Sequence, residues 1–381
     1  MLYATVATTH LGNIRRNLAA VRARVTAERP DRLVLVAVKA DAYGHGAREV
    51  ARLIQATGAA DWLGVATVPE AMELRAAGVT MPVLKLSPAL SPDEVEAALR
   101  ADVTLAVASA GDIDQVAAAV VALGLDRPAD VHLKVDTGMR RIGCEPAAAP
   151  ALCRLIDAQP SLRLGGFFSH LPVSDTEAGR AFTQRQIATF AAAAAAAEAA
   201  RGPIPLKHLA NSGAVLQHPD AWFDLVRPGI MLYGNLPDAT TAPTVPLLPG
   251  LTWRTAVSFL KPISAGETVG YGRTWTAPTD TWIATLPVGY GDGFSRLHSN
   301  NGRVLIGGRS YPIVGRVCMD QTMVDLGPGE PAVAVGDEAV LLGRSGGEEI
   351  TCAEVAERMR TITYEVTCLI GGRVTRASDG V

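Results

Sequence analysis

The sequence predicts an α/β protein, an N-terminal (β/α)8 TIM-type barrel followed by a mostly antiparallel β domain. Three observations carry that prediction. Between residue 33 and about residue 230, short apolar runs alternate with longer Ala-rich, helix-forming stretches. The pattern breaks after Tyr233, where LPDATTAPTVPLLPG (236–250) reads as a Pro-, Thr- and Gly-rich linker. Beyond it the runs are shorter and alternate apolar with polar residues, with turn pairs such as Asp292-Gly293 and Asn301-Gly302 between them. The expected domains are residues 1–240, the barrel, and 241–381, the β domain.

In chain order the first eight runs are LVLVAV (33–38), WLGVA (62–66), PVLKL (82–86), VTLAV (103–107), VHLKV (131–135), LGGFF (164–168), LKHL (206–209) and DLVRPGI (224–230). Continuous apolar strands separated by helices indicate a parallel sheet covered on both faces. Eight such units in roughly 200 residues suit a closed barrel. An open doubly wound sheet is the alternative, because spacing does not reveal closure. The intervening PEAMELRAAG and SPDEVEAALR open with Pro or Ser-Pro and carry early acids, which is helix-start chemistry. FAAAAAAAEAARG (190–202) combines the highest helix propensity with a terminal Gly stop and reads as a surface helix. In the second domain TWIATLPVGY, GRVLIGG, YPIVGRV, TMVDLG and AVLLG read as strands, and TCAEVAERMR (351–360) as a helix.

Bulk properties exclude several classes. A chain of 381 residues with 48% apolar content can bury a sizeable core. Its net charge of −3, with acids and bases interspersed, lacks the basic stripe of a nucleic-acid or membrane-surface protein. No run of about 18 apolar residues is present to form a membrane span. The start, MLYATVATTHLGNIRRNL, lacks the apolar core of a secretory signal. Five cysteines, Cys144, Cys153, Cys318, Cys352 and Cys368, form no CxxC pair, which suggests free thiols in a reducing cytoplasm and no metal site.

Active sites of (β/α)8 barrels form where the strands end, so the residues following each run matter most. The first run ends in Lys39, then Tyr43; the fifth gives Lys134, Asp136 and, past a glycine turn, Arg141. The sixth gives His170, the seventh Asn211, Ser212 and Gly213, and the eighth Arg227, Gly229 and Ile230. Each has an ordinary structural reading. Lys39 could be solvated, and His170 could be a hydrogen-bonded core histidine. Asn211 could be an N-cap, Arg227 could pair with Asp224, and Lys134 with Asp136. Their arrival at one rim is what argues for chemistry. The loops after strands seven and eight often bind phosphate in such barrels, and free backbone N–H groups there favour an anion. A lysine opposite a phosphate site suggests pyridoxal 5'-phosphate. Apolar walls disfavour the ammonium form and release the amine as a nucleophile, which the aldehyde then takes up as a Schiff base.

The blocks AVKADAYGHG, LKVDTGMRRIG, LANSGA, VRPGIMLYG, VGYGRTW, PVGYGDGF, GRVCMDQTMVDLG and TYEV, in this order and spacing, resemble the alanine racemases over nearly the whole chain. The resemblance implies a cytoplasmic isomerase that interconverts L- and D-alanine on a pyridoxal-phosphate aldimine, supplying D-alanine as a peptidoglycan precursor. It implies a homodimer in which each active site is completed by the partner's β domain. Lys39 matches the lysine that binds the cofactor and acts as one of two bases, and Tyr271 matches the opposite base, from the partner chain. Arg227 matches the arginine facing the pyridine nitrogen. Tyr43, Ser212, Gly229, Ile230 and Tyr364 match phosphate-holding positions. Arg141 matches the arginine near the phenolic oxygen and the substrate carboxylate, and His170 the histidine that orients the tyrosine base. Met319 matches a backbone donor to the substrate carboxylate. Asp175, Tyr290, Arg296, Arg316 and Asp320 match residues lining the substrate entrance. Lys134 matches a lysine carbamylated in some members. The chain departs from the common pattern after His170, where it reads LPVSDTEAGR in place of a Phe-Ala-Thr-Ala-like run.

A racemase needs proton transfer on both faces of Cα. Two opposed bases avoid moving one base across the substrate, and a positioned group contributes about 10²–10⁴-fold. The competing functions are a decarboxylase of basic amino acids on the same barrel, a broader-specificity racemase, and a noncatalytic cofactor-handling protein. The first would place a glutamate where Arg227 stands, and the last would lack the region after residue 250.

Overall fold

Eight parallel strands close into a barrel in the computed structural model, which describes residues 3–380. A strand that precedes them, β1 (Val6–His10), lies in a different sheet. The barrel strands are β2 (Leu33–Ala37), β3 (Trp62–Val65), β4 (Val83–Lys85), β5 (Val103–Val107), β6 (Ala129–Lys134), β7 (Leu162–Phe168), β8 (Leu206–His208) and β9 (Leu225–Val226). They pair in the order β8-β7-β6-β5-β4-β3-β2-β9. The seam between β8 and β9 is bridged by the Asp224 N–H donating to Lys207 O at 2.9 Å and the Arg227 N–H donating to Ala210 O at 2.8 Å. Those two bonds decide for a closed barrel over an open sheet.

Every barrel-strand residue except Arg163 is buried or half-buried, which explains the unbroken apolar runs. On β2, Val34 and Val36 join the layer between strands and helices, while Leu35 turns inward to Leu84 and Leu225. The helices begin where helix-start chemistry places them. Thr67 and Glu70 form a capping box before Val68–Ala76, and Ser91 caps Pro92–Arg100 by accepting from the Glu94 N–H. The Ala-rich segment lies in the helix Arg180–Arg201, which buries Phe190, Ala193, Ala194 and Ala197 along one face.

The second domain begins with β10 (Leu251–Ala256). Its larger sheet runs Arg309–Pro312, Arg303–Ile306, Glu338–Ser345, β10, β1 and Thr375–Asp379, with Glu348–Ile350 added at Glu338–Ser345. Phe259–Ile263, Thr281–Leu286 and Thr322–Asp325 form a three-stranded antiparallel sheet. The sequence reading began the barrel at residue 1. The structure instead inserts β1 antiparallel to β10 and parallel to Thr375–Asp379, so Val6–His10 is part of the second domain's sheet. A five-residue strand whose partners lie more than 200 residues away leaves no local trace. The Pro-rich segment after Tyr233 forms neither helix nor strand but is anchored: Asn17 donates to Leu232 O and Leu248 O at 3.0 and 2.8 Å and accepts from the Leu248 N–H. No helix among the described residues is long and apolar enough to cross a membrane. All five cysteines are free.

Candidate active site

Strand β2 ends at the barrel mouth in an unusual turn. Ala40, Asp41, Ala42 and Tyr43 all adopt left-handed geometry, with φ between 51° and 56°. That conformation costs a non-glycine residue about 1–2 kcal/mol, so the surroundings must impose it. The Ala42 N–H donates to Val38 O at 2.8 Å. The Ala40 N–H donates to the Glu70 carboxylate at 2.8 Å, and the Ala47 N–H to Asp41 Oδ1 at 2.7 Å. The turn sets Lys39 and Tyr43 on the same cavity.

That cavity has a volume of about 380 Å³. Eleven of the sequence-predicted residues line it: Lys39, Tyr43, Lys134, Arg141, His170, Asn211, Ser212, Arg227, Gly229, Ile230 and Tyr364. Four carry basic side chains, and no aspartate or glutamate lines the cavity. Such a concentration of basic groups favours loss of their protons or the binding of an anion.

Arg227 is 6% exposed. Its guanidinium donates to Ser169 O at 2.6 Å, to Leu209 O at 3.1 Å and to His208 Nδ1 at 2.9 Å. Burial draws it down to about 9, so it remains charged at neutral pH. The Lys134 ammonium donates to Leu86 O at 2.8 Å and sits 5.1 Å above the Phe168 ring. Burial, then Arg227, Arg141 and Lys39, lower it to about 7. Burial and then Arg141 also lower Lys39. The amine at the strand end is thereby biased toward its nucleophilic form. Burial, reinforced by Arg227 and Arg141, holds the His170 imidazole well below its usual range.

Another part of the cavity lining is neutral. Ser212 Oγ accepts from the Gly229 N–H at 2.9 Å. A Cβ on Gly229 would lie 2.6 Å from Tyr43 Oη, so only glycine lets backbone and phenol approach. Burial raises the Tyr43 and Tyr364 phenols, which keeps both as neutral donors. Tyr364 arrives from the second domain, on the helix Thr363–Cys368.

The simpler pairings do not form. Lys134 donates to a carbonyl, while Asp136 accepts from the Gly138 and Arg140 N–H groups and shapes the loop that carries Arg141. Asp224 pairs with Arg29 at 2.7 Å, not with Arg227. Asn211 is an N-cap, accepting from the Ala214 N–H at 3.1 Å, and it lines the cavity as well. Its amide also takes a hydrogen bond from Ser174 at 2.7 Å and donates to Leu171 O. The divergent loop after His170 is thereby fastened to the site.

The other seven predicted residues do not line this cavity. Asp175 lies on the loop beside Gly213, with its carbonyl accepting from Thr241. Tyr271 (71% exposed), Tyr290, Arg296, Arg316, Met319 and Asp320 are exposed residues of the second domain. They are held near one another. A Cβ on Gly272 would sit 3.3 Å from the Arg316 guanidinium, which places the Tyr271 turn against Arg316. The Tyr290 N–H donates to Cys318 O, and the Gly291 N–H to Met319 O, at 3.0 and 2.9 Å. Arg373 joins Asp320 to Asp292.

Comparison with known proteins gives this constellation its family. The family model described as alanine racemase, N-terminal domain, matches residues 9–237, and that of the C-terminal domain matches residues 250–378. The chain belongs to the alanine racemase family. It is an isomerase that interconverts the enantiomers of alanine. It is 50% identical over 366 residues to the alanine racemase of Cutibacterium acnes, covering 96% of this chain and 95% of that one. It is 44% identical over 372 residues to that of Mycobacterium tuberculosis, covering 96% and 94%. The solved alanine racemase of Clostridium difficile superposes with a TM-score of 0.91 at 33% identity, covering 100% of this chain and 96% of that one. The Bacillus anthracis racemase with bound L-Ala-P superposes with a TM-score of 0.90 at 33% identity, with the same coverages.

The racemase fold also recruits residues around the cavity that the strand-end pattern does not single out. Phe168 stacks on His208 with ring centroids 4.8 Å apart and lies under both Arg227 and Lys134. His208 links Arg227 to His132 at 2.9 Å. Lys85 is 3% exposed and donates to Ser87 O and Pro88 O, shaping the loop that carries Leu86 and Ser87 into the cavity. His208 and Lys85 end strands, so their positions were a usable signal. Phe168 read only as part of an apolar run.

Proposed function

We propose that the enzyme binds pyridoxal 5'-phosphate covalently through Lys39 and racemises alanine with Lys39 and Tyr271 as opposed bases. The observation that carries the reading is a cavity with four basic side chains, no acid, and a neutral glycine- and tyrosine-lined part. An aromatic phosphate ester fits that distribution. When bound, the cofactor withdraws electrons from the substrate Cα.

The chain's own residues divide the remaining work. Lys39 holds the cofactor and exchanges a proton at one face of Cα. Tyr43, Ser212, Gly229, Ile230 and Tyr364 hold the phosphate, and Asn211 fixes the helix start beneath it. Arg227, a permanent donor, would face the ring nitrogen and leave it unprotonated, which would limit side reactions. Arg141 receives the substrate carboxylate. Lys134, whose amine burial and the neighbouring cations bring down to about 7, can add carbon dioxide in its neutral form with loss of a proton. The resulting carbamate would be an anion among the neighbouring cations.

Tyr271 and Met319 reach this cavity from a second copy of the chain, so the working unit is a homodimer. Tyr271 takes the other face of Cα, positioned by His170 across the interface, and the Met319 backbone assists the carboxylate. Asp175, Tyr290, Arg296, Arg316 and Asp320 line the way in. The exposure of Tyr271 and Met319 in a single chain supports this arrangement.

Borohydride reduction of the cofactor-loaded protein, followed by peptide mass analysis, tests the attachment. Cofactor is expected on the peptide containing Lys39, and label on another lysine would refute the assignment. Assaying both enantiomers of serine, lysine and arginine beside alanine defines the substrate range.

A further inference from the structure

The left-handed turn behind Lys39 converges on one imidazole. His45 is 2% exposed. Its Nδ1 lies 2.9 Å from Tyr43 O and 3.1 Å from Ala42 O, both carbonyls of the turn. With two carbonyls facing it, Nδ1 carries the proton and donates. Nε2 has no hydrogen-bond partner among the described residues. The ring's polar contribution is therefore confined to the turn.

The ring is itself fixed from outside the turn. It stacks on Tyr233, with centroids 4.5 Å apart and planes inclined by 27°. Tyr233 donates its hydroxyl to Ala37 O at 2.8 Å, at the end of β2, and packs against Tyr43 with centroids 5.1 Å apart. The His45 backbone accepts from Thr9 Oγ1 at 2.8 Å and donates to Asp41 O at 2.9 Å. Next to it, Gly44 O accepts from Arg376 Nη1 at 2.6 Å. Thr9 and Arg376 flank the turn from β1 and the C-terminal strand of the second sheet.

We propose that His45 is the positioning residue for Lys39: its Nδ1–H clasps the turn carbonyls, holds four residues left-handed, and so aims the Lys39 amine and the Tyr43 hydroxyl into the cavity. The proposal rests on the reading of Lys39 as the cofactor lysine. His45 does not line the cofactor cavity; it acts through the backbone between Lys39 and Tyr43.

Three substitutions separate its features. His45→Phe keeps a ring to stack on Tyr233 and removes the donor. His45→Asn loses the ring but places an amide N–H where Nδ1 stands. His45→Gln carries its amide out toward the Nε2 position. A displacement on the order of 1 Å costs about 100-fold in rate, so kcat for His45→Phe and His45→Gln should fall by roughly that factor. The dissociation constant for pyridoxal phosphate, titrated into apoprotein, should rise about tenfold, equivalent to one lost contact. KM for alanine should stay within about threefold, because Arg141 is untouched, and His45→Asn should restore kcat and cofactor affinity to within about threefold of the parent. Parental kcat and affinity in His45→Phe would overturn the proposal, and so would His45→Asn as impaired as His45→Gln. If His45→Phe does not fold, the comparison of Asn with Gln decides the matter. Mass analysis of the reduced parent keeps the two readings apart. Label away from Lys39 sinks the cofactor assignment, whereas label on Lys39 with an unaffected His45→Phe sinks this proposal alone.

Discussion

A site shared between two chains predicts that two dead variants revive each other. Lys39→Ala removes the cofactor amine, and Tyr271→Phe removes the hydroxyl of the opposed base. Each loss should reduce racemisation by about 10²–10⁴-fold. Tyr271→Phe should not act through unfolding of its own chain, in which Tyr271 is 71% exposed, because such substitutions usually stay within about 0.5 kcal/mol. If Lys39 of one chain works with Tyr271 of the other, a hybrid dimer holds one site with both defects and one with neither. Random re-pairing of equal amounts makes about half the dimers hybrids, so the mixture should recover about one quarter of parental activity. Hybrids purified through two affinity tags should show about half. The assay is D- to L-alanine conversion coupled to an L-specific dehydrogenase, together with the reverse direction by a D-specific oxidase. A mixture no more active than the mean of its two parents would refute the shared site, because it would place Tyr271 in its own chain's site or in none.

Gly229→Ala would drive a Cβ to 2.6 Å from Tyr43 Oη. Overpacking of that kind costs about 1–3 kcal/mol, so cofactor affinity should drop about tenfold or more, as read by titration of apoprotein, and unchanged affinity would remove Gly229 from the phosphate end. Arg227→Glu should raise pyridoxamine formation per turnover, because a carboxylate keeps the ring nitrogen protonated; chromatography of the released cofactor checks it, and no increase would count against the role given to Arg227. Burial lowers His45, His132 and His298 to about 4, against about 6.5 in the unfolded chain. Falling pH therefore protonates the unfolded chain first. The stability these rings contribute is complete above about pH 6.5 and is lost toward pH 4, by up to about 1.4 kcal/mol per pH unit for each ring. Urea midpoints at pH 7.5 and 5.5 should show the decline, and a midpoint that holds or rises at pH 5.5 would contradict it.

The sequence by itself determined the local elements of this protein. The eight barrel strands were legible because a parallel sheet buries both faces, leaving apolar runs that need no distant partner to be seen. The helix starts were legible because Thr67 and Ser91 act within three residues of themselves. Lys39, Lys134, His170, Asn211 and Arg227 were legible because strand ends are local features, although each of them alone supported an ordinary reading. Tertiary structure decided what depends on groups far apart in the chain. It closed the barrel across Lys207 and Asp224, drew β1 into the second sheet, and brought Tyr364 to the cavity from the other domain. It gave Asp136 and Asp224 partners other than Lys134 and Arg227, and so left four basic side chains facing a space with no acid. It also bent Ala40–Tyr43 into a left-handed turn that no propensity predicts. The physical reason is the same in each case: burial, charge pairing and strain are set by neighbours that only the folded chain assembles, whereas periodicity and capping are written within a few residues.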